Sequence, residues 1–139
     1  MNGETNLDVL ISTIKPKLNS GEFVFCTLKI MEIDINNVLF FFKENEGITL
    51  VCTKEYADKK KYNYSSIFSW ITLEVHSALE AVGLTAAFSQ ALAAHNISCN
   101  VVAGYYHDHI FVQQEKGIEA INVLENLAKN RMATPSVVH

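Results

Sequence analysis

Charged side chains are scarce in this sequence. They make up 19% of its 139 residues, whereas an average soluble domain has roughly 25%. Hydrophobic residues reach 49%, and a chain this apolar has enough surface to bury to fold, which excludes intrinsic disorder. The few charges would cover a monomer poorly. We therefore expect apolar surface to be hidden between two modules or between the two chains of a homodimer.

Clustered cations and long apolar runs are also lacking. The chain has 11 Lys and Arg against 15 Asp and Glu, and its one basic run is 59–61. Because binding a phosphate backbone needs clustered cations, we expect no nucleic-acid partner. The longest apolar run, 38–42, is too short to span a membrane, and the N-terminus lacks the pattern of a signal peptide. These features predict a cytoplasmic protein with no membrane partner.

Cysteine is rare as well. The three cysteines, Cys26, Cys52 and Cys99, are odd in number and show no CxxC spacing, which argues against a disulfide framework or a zinc finger. Each lies in an apolar setting, as expected of buried free thiols in a reducing compartment. P-loop, dinucleotide-binding and Ser-His-Asp patterns are missing too. The sequence therefore predicts a non-enzymatic protein without a cofactor.

The first half of the chain alternates apolar segments with polar turns. Apolar spacing predicts a helix over 6–15, ended by Pro16. The other elements that the patterns favour are strands over 23–31, 38–43 and 48–53, a hairpin loop over 44–47 and a helical segment over 54–61. We place a module boundary near Tyr64, which divides the chain into modules 1–64 and 65–139.

The second half has a clearer order of strand, helix, strand, strand, helix, strand. The predicted strands are 70–76, 97–104, 109–113 and 134–138, and the predicted helices are 84–96 and 116–129. This order is the split βαβ, or ferredoxin-like, plan of an α+β protein. The right-handed crossover rule makes the first two strands parallel, with the third antiparallel between them.

That topology gathers polar groups at one end of the sheet. The helix that begins near Leu84 has backbone N–H groups without partners and a positive dipole end, which together attract a carboxylate or a phosphate. The candidate ligand-binding residues around it are His76, Ser77, Gly83, Leu84, Thr85, Asn100, His107 and Asp108. Ser77 also fits a capping box with Glu80, so a purely local role for it stays open.

Two histidines leave a second hypothesis open. His107 and His109 alternate on a predicted strand, so both can point at one ion, and His76 could supply a third ligand. The alternative function is thus a metal-binding protein or hydrolase that uses His76, His107, Asp108 and His109. An HxH pattern is short and weak, however, and a polar hairpin whose histidines hydrogen-bond the loop 76–83 is the more common explanation.

Two long segments of the second half, 75–87 and 99–112, resemble a family of small bacterial proteins that carry tandem ACT-like domains. The first half agrees with this family more loosely, through Phe23-Val24-Phe25 and the run 44–50. The resemblance implies two ferredoxin-like modules, with βαββαβ order in the second and an abbreviated or permuted first. The chain departs from the family pattern at Ala78, where a second serine is expected, and at Gln113, where proline is expected.

The resemblance also implies a function. ACT-like domains are regulatory modules that usually bind amino acids at the junction of the first strand and first helix, often between two modules. The glycine at that junction corresponds to Gly83. This implies a small-molecule ligand, with an amino acid as the expected class, whose carboxylate would lie on the amides of Gly83, Leu84 and Thr85. A module that serves only to pair with another chain remains a third hypothesis.

Overall fold

The computed structural model describes residues 6–29, 32–75 and 82–133, which form a seven-stranded sheet with helices packed against one side. The helices are α1 (Leu7–Ser12), α2 (Lys54–Lys60), α3 (Leu84–Ala93) and α4 (Gly117–Ala133). The strands are β1 (Lys15–Leu18), β2 (Phe23–Leu28), β3 (Phe40–Lys43), β4 (Ile48–Thr53), β5 (Phe68–Glu74), β6 (Asn100–Ala103) and β7 (Asp108–Gln113).

The strand order confirms the α+β, ferredoxin-like plan. Six strands lie side by side in the order β3-β4-β2-β5-β7-β6, and β1 also pairs with β5. In the second half, β7 lies between β5 and β6 and is antiparallel to both. The first two strands of that half are therefore parallel to each other, as the crossover rule requires.

The segment that precedes β2 differs from the sequence prediction. The helix predicted over 6–15 ends at Ser12, and Lys15 begins strand β1 instead. Pro16 explains this, because a proline pushes the residue before it towards extended backbone and is tolerated on a strand that, within the described residues, pairs on one side only. β1 pairs antiparallel with β5, from Lys15 opposite Glu74 to Leu18 opposite Ile71. The edge strand predicted at 134–138 lies outside the described residues.

Most other predicted elements are present with shifted ends. The strand over 48–53 and the helix from Lys54 are confirmed, and Thr53 caps that helix by accepting the N–H of Tyr56. The predicted strands 23–31, 38–43, 70–76 and 97–104 are displaced or shortened to Phe23–Leu28, Phe40–Lys43, Phe68–Glu74 and Asn100–Ala103. The helix predicted over 116–129 begins at Gly117 and continues to Ala133.

Two apolar clusters lie on the helix side of the sheet. The larger joins α1, α3 and α4 to β5 and β7, and it includes fully buried Leu10 and Ile11 from α1. α1 therefore packs against elements of the second half although it comes from the first. The smaller cluster lies beneath α2 and contains the buried thiols of Cys26 and Cys52, as the sequence predicts. Cys99 is half-buried.

The opposite side of the sheet carries aromatic rings. We call it the aromatic face and define it by Phe23, Phe25, Phe40, Phe68, Trp70 and Phe111. These residues share one side because directly opposed residues of antiparallel strands do so: Phe23 faces Phe68, and Trp70 faces Phe111. Within the described ranges, no helical residue belongs to this cluster.

Candidate functional site

The predicted site lies at the end of the sheet where β5 finishes and β7 starts. Leu73, near the end of β5, is paired with Asp108, the first residue of β7. The turn that precedes β7 is closed by the N–H of Gly104, which donates to the carbonyl oxygen of His107 at 2.9 Å. This pairing places His107 next to the last residues of β5.

An open groove of about 700 Å³ lies at this end. We call it the β5-end groove, and its walls are Val9, Ser12, Thr13, Lys15, Glu74, Val75 and His107. Lys15 and Glu74 are directly opposite each other in the β1–β5 ladder, yet among the ion pairs of the described residues they form none. The groove therefore offers one cation and one anion to an incoming molecule.

His107 adds a polar atom that the protein leaves unsatisfied. Its Nδ1 is buried, and no hydrogen-bond partner reaches it. A buried polar atom without a partner costs free energy, so such atoms are rare in folded proteins. A ligand that brings a hydrogen-bonding group into the groove would remove this cost.

In the sequence, α3 follows β5 after the segment 76–81, which lies outside the described residues. Gly83 is the N-cap residue of α3, with φ of 96°, and as a glycine it supplies no side-chain cap to the first turn. A Cβ on Gly83 would approach Cδ2 of Leu7 to 3.0 Å, so α1 fills the space beside its Cα. The backbone N–H groups of the first turn, rather than an opening beside the glycine, are the feature available to an anion.

The remaining predicted residues have mixed positions. Asp108 is half-buried, and burial raises the pKa of its carboxyl, opposed by the nearby His109 and His107. Asn100 donates from Nδ2 to the carbonyl oxygen of Phe111 at 3.1 Å and is not among the walls of the groove. His76 and Ser77 lie outside the described residues.

The metal hypothesis receives no support from the described geometry. His109 uses its Nδ1 to accept the indole N–H of Trp70 at 3.0 Å, on the aromatic face rather than in the groove with His107. Across 6–29, 32–75 and 82–133, no group of three His, Cys, Asp or Glu side chains is placed to hold a metal ion.

A second groove lies on the other side of the corner between α1 and β1. It has a volume of about 840 Å³ and runs between that corner and α4, with Pro16, Glu125 and Lys129 among its walls. Although it is larger, we favour the β5-end groove, because His107, whose buried Nδ1 has no partner, is one of its walls.

The walls of the β5-end groove that α1 and β1 supply were not predicted from the sequence. Ser12, Thr13 and Lys15 line the groove, but nothing in the local pattern indicates that this segment returns to β5. The pairing of Lys15 with Glu74 spans most of the first half of the chain. The one local signal, Pro16 after a short helix, indicates that the chain turns there, but it does not indicate which strand the following segment pairs with.

Comparison with known families gives two adjacent matches. A model described as an ACT domain matches residues 2–69, and a second ACT domain model matches residues 65–126. Among curated proteins, none matches the chain. The described part of the chain contains no helix that is long and apolar enough to cross a membrane.

Solved structures give a consistent result. A Vibrio cholerae protein of unknown function, described as a possible transport protein, is 48% identical, with a TM-score of 0.80 over 88% of this chain and 95% of that one. An Agrobacterium tumefaciens protein is 18% identical, with a TM-score of 0.66 over 83% and 89% of the two chains. The regulatory subunit of aspartate kinase from Thermus thermophilus is 7% identical, with a TM-score of 0.57 over 81% and 95%. The last two likenesses concern the fold alone.

Proposed function

The chain belongs to the ACT domain family, with two ACT domains in tandem, and from this premise we propose that it is a non-enzymatic regulatory protein that binds a free amino acid. ACT domains are typically small-molecule-binding regulatory modules. The ligand would lie at the end of β5, between the β5-end groove and the first turn of α3. We place the protein in the cytoplasm, because buried free thiols such as Cys26 and Cys52 are typical of reducing compartments.

The observation that carries this proposal is the chemistry of the groove. A free amino acid has one carboxylate and one ammonium group, and the groove has Lys15 and Glu74 opposite each other without an ion pair between them. The buried Nδ1 of His107 lacks a partner and would form a hydrogen bond to the ligand. Matching a zwitterion in this way satisfies three groups at once.

The start of α3, where Gly83 supplies no side-chain cap, is the second support. The ligand carboxylate would accept hydrogen bonds from the backbone N–H groups of Gly83, Leu84 and Thr85, where the helix dipole is positive. Lys15 would add its charge from the opposite wall, and Glu74 would lie near the ammonium. His76, Ser77, Asn100 and Asp108 belong to the proposed site as well, as contacts to the amino or side-chain end.

Thermal unfolding in the presence of each common amino acid tests the proposal. A ligand at about 100 times its Kd stabilises the folded state by roughly 2.7 kcal/mol, which raises the Tm by several degrees. We expect at least one amino acid to raise the Tm at millimolar concentration. The absence of any shift across the whole set at 10 mM or so would contradict the proposal.

Substitutions in the groove locate the binding. We expect Lys15→Met or Glu74→Gln to weaken binding of the active amino acid by about tenfold, because each removes one charge partner of the zwitterion. Lys17→Met is the matched control, since Lys17 lies two residues along the same exposed strand and does not line the groove. Equal loss of binding in Lys17→Met would show that general charge, and not the groove, is responsible.

A further inference from the structure

The aromatic face has almost no charge. On this side, strands β2 to β7 place one residue with a formal charge, Glu74, at the far end of β5, and β1 adds Lys15 and Lys17 at the same end. The remaining residues on this side are Phe23, Phe25, Thr27, Phe40, Phe42, Thr49, Val51, Thr53, Phe68, Trp70, Thr72, Asn100, Val102, His109, Phe111 and Gln113. Charge depletion with aromatic enrichment is typical of the core of a protein interface.

The rings differ in burial. Phe111 is buried, and its ring centroid lies 5.4, 6.0 and 6.5 Å from those of Phe25, Phe40 and Trp70 respectively. These three neighbours are half-buried, and Phe42 is 66% exposed. In the described part of the chain no helix covers them. The described residues therefore leave a contiguous apolar surface uncovered, which soluble proteins rarely do.

We propose that the aromatic face is the surface through which two copies of this chain associate, sheet against sheet. A nucleic acid stacked on the rings would need cations along the path of its backbone, and the centre of the face has none. A strongly charged protein partner would find no complementary charge either. A second copy brings an equally neutral and aromatic surface, and a twofold axis places like surfaces together without repulsion.

The size of the face fits a dimer. Six strands about 4.8 Å apart and about 20 Å long give roughly 500 Å² per copy, so that two copies would bury roughly 1,000 Å². This lies near the lower bound for a specific interface, and we expect a Kd in the micromolar range. The interface would also explain the low charge of the chain, 19% of its residues, because part of its surface is covered in the assembled state.

The test compares two similarly exposed apolar residues, one on the aromatic side of the sheet and one on the helix α4. Phe42 is 66% exposed on the side of the aromatic face, and Ile118 is 72% exposed at the start of α4. Sedimentation velocity over about 1 to 100 µM should show the wild type moving from 15.5 kDa towards twice that mass. We expect Phe42→Asp to raise the dimer Kd at least tenfold, and Ile118→Asp to leave it unchanged.

A second variant keeps the test valid if Phe42→Asp does not fold, which far-UV circular dichroism reports. Thr27 is exposed and opposes Thr49 on the same side of the sheet, and Thr27→Lys should also weaken the dimer. Both substitutions lie at the end of the sheet away from the β5-end groove. Amino-acid binding should therefore be unchanged in these variants. A missing dimer then contradicts only this inference, whereas missing amino-acid binding in the wild type contradicts only the proposed function.

Trp70 gives an independent measurement, because it is the single tryptophan and lies on the aromatic face. Acrylamide should quench its fluorescence less at high protein concentration than at low. A wild type that stays monomeric at 100 µM or so, or a dimer that neither Phe42→Asp nor Thr27→Lys weakens, would overturn the inference. A protected monomer whose Trp70 becomes quenchable when residues 134–139 are removed would assign the face to the chain's own tail instead.

Discussion

Trp70 donates its indole N–H to Nδ1 of His109 at 3.0 Å, across the pair of strands β5 and β7. Since Nδ1 accepts, neutral His109 carries its proton on Nε2. The hydroxyl of Thr72 also lies 3.2 Å from Nδ1 and accepts from Nδ2 of Asn19 at 3.0 Å. These side chains form a polar chain from the end of β1 across β5 to β7, next to the rings of the aromatic face.

This contact predicts an acid-sensitive stability. Burial lowers the pKa of His109, and His107 lowers it further, whereas Asp108 opposes the shift. Below about pH 6.5 the unfolded chain therefore binds more protons at this residue than the folded one. We expect the contribution of His109 to stability to be complete above that pH and to be lost progressively as the pH falls. Protonation also removes the acceptor for the indole of Trp70.

A comparison of the wild type with His109→Gln tests this effect, because burial, the largest cause of the raised pKa of Asp108, acts on that carboxyl in both proteins. Glutamine retains a carbonyl acceptor but does not titrate in this range. The difference in free energy of unfolding should change between pH 5 and 7, and Trp70 fluorescence should show a transition with its midpoint below about 6.5 only in the wild type. A midpoint above 6.5 would contradict the prediction.

Gly83 is predicted to resist substitution for two separate reasons. Its φ of 96° is unfavourable for any residue with a Cβ, and that Cβ would lie 3.0 Å from Leu7. We expect Gly83→Ala to destabilise the protein by about 1–3 kcal/mol, as measured by urea unfolding. Binding of the active amino acid should weaken too, if the α3 amides hold its carboxylate.

Gly21 provides the matched control. Its φ of 111° is similar, but an added Cβ would meet only the Phe23 ring, at an ordinary 3.5 Å. Gly21→Ala should therefore show the backbone cost alone, and Gly83→Ala should cost more. Adding Leu7→Ala to Gly83→Ala should recover part of that difference, and strictly additive effects would argue against the steric contact with Leu7.

The local hydrophobic pattern was sufficient to predict most of the helices and strands in the second half of the chain. Ile71, Leu73 and Val75 alternate with polar residues and do face the helix side, where all three are buried. The hydrophobic pattern did not predict the strand at 13–18, because Lys15–Leu18 is too short to show a period of two and is mostly exposed. Its strand conformation comes from pairing with β5, a partner distant in sequence.

The candidate site also combines features that have a local sequence signal with features that depend on tertiary packing. The turn before β7 and the start of α3 are local features, and the sequence predicted both. The groove beside the turn before β7 is closed by Lys15 and by α1, whose position depends on the packing of Leu10 and Ile11 against α3 and α4. Tertiary packing of this kind leaves no short-range signal beyond an apolar face on a helix.

α1 should therefore stabilise the second half of the chain. Leu10 is fully buried in the cluster shared with α3 and α4, and Leu10→Ala should lower the free energy of unfolding by about 2–5 kcal/mol. Val9 is the control, because it is 45% exposed on the same helix, and Val9→Ala should change stability by no more than about 0.5 kcal/mol. A Leu10→Ala effect as small as that of Val9→Ala would show that α1 is only loosely attached.

The buried thiols should be chemically inert while the protein is folded. Burial, with the nearby Cys26 thiol, raises the pKa of Cys52 to about 12, and burial also raises the pKa values of Cys26 and Cys99. At pH 8 a thiol with a pKa near 12 is a thiolate in only about one molecule in 10,000, and the thiolate is the reactive form.

Ellman's reagent measures this directly. In Cys99→Ser, which retains only the two fully buried cysteines, we expect no reaction with the native protein at pH 8 and release of two equivalents after unfolding in guanidinium. Because labelling then requires opening of the cluster beneath α2, its rate should rise with denaturant in step with unfolding. Rapid reaction of the native Cys99→Ser protein would mean that the strands β2 and β4 open far more often than this packed cluster allows.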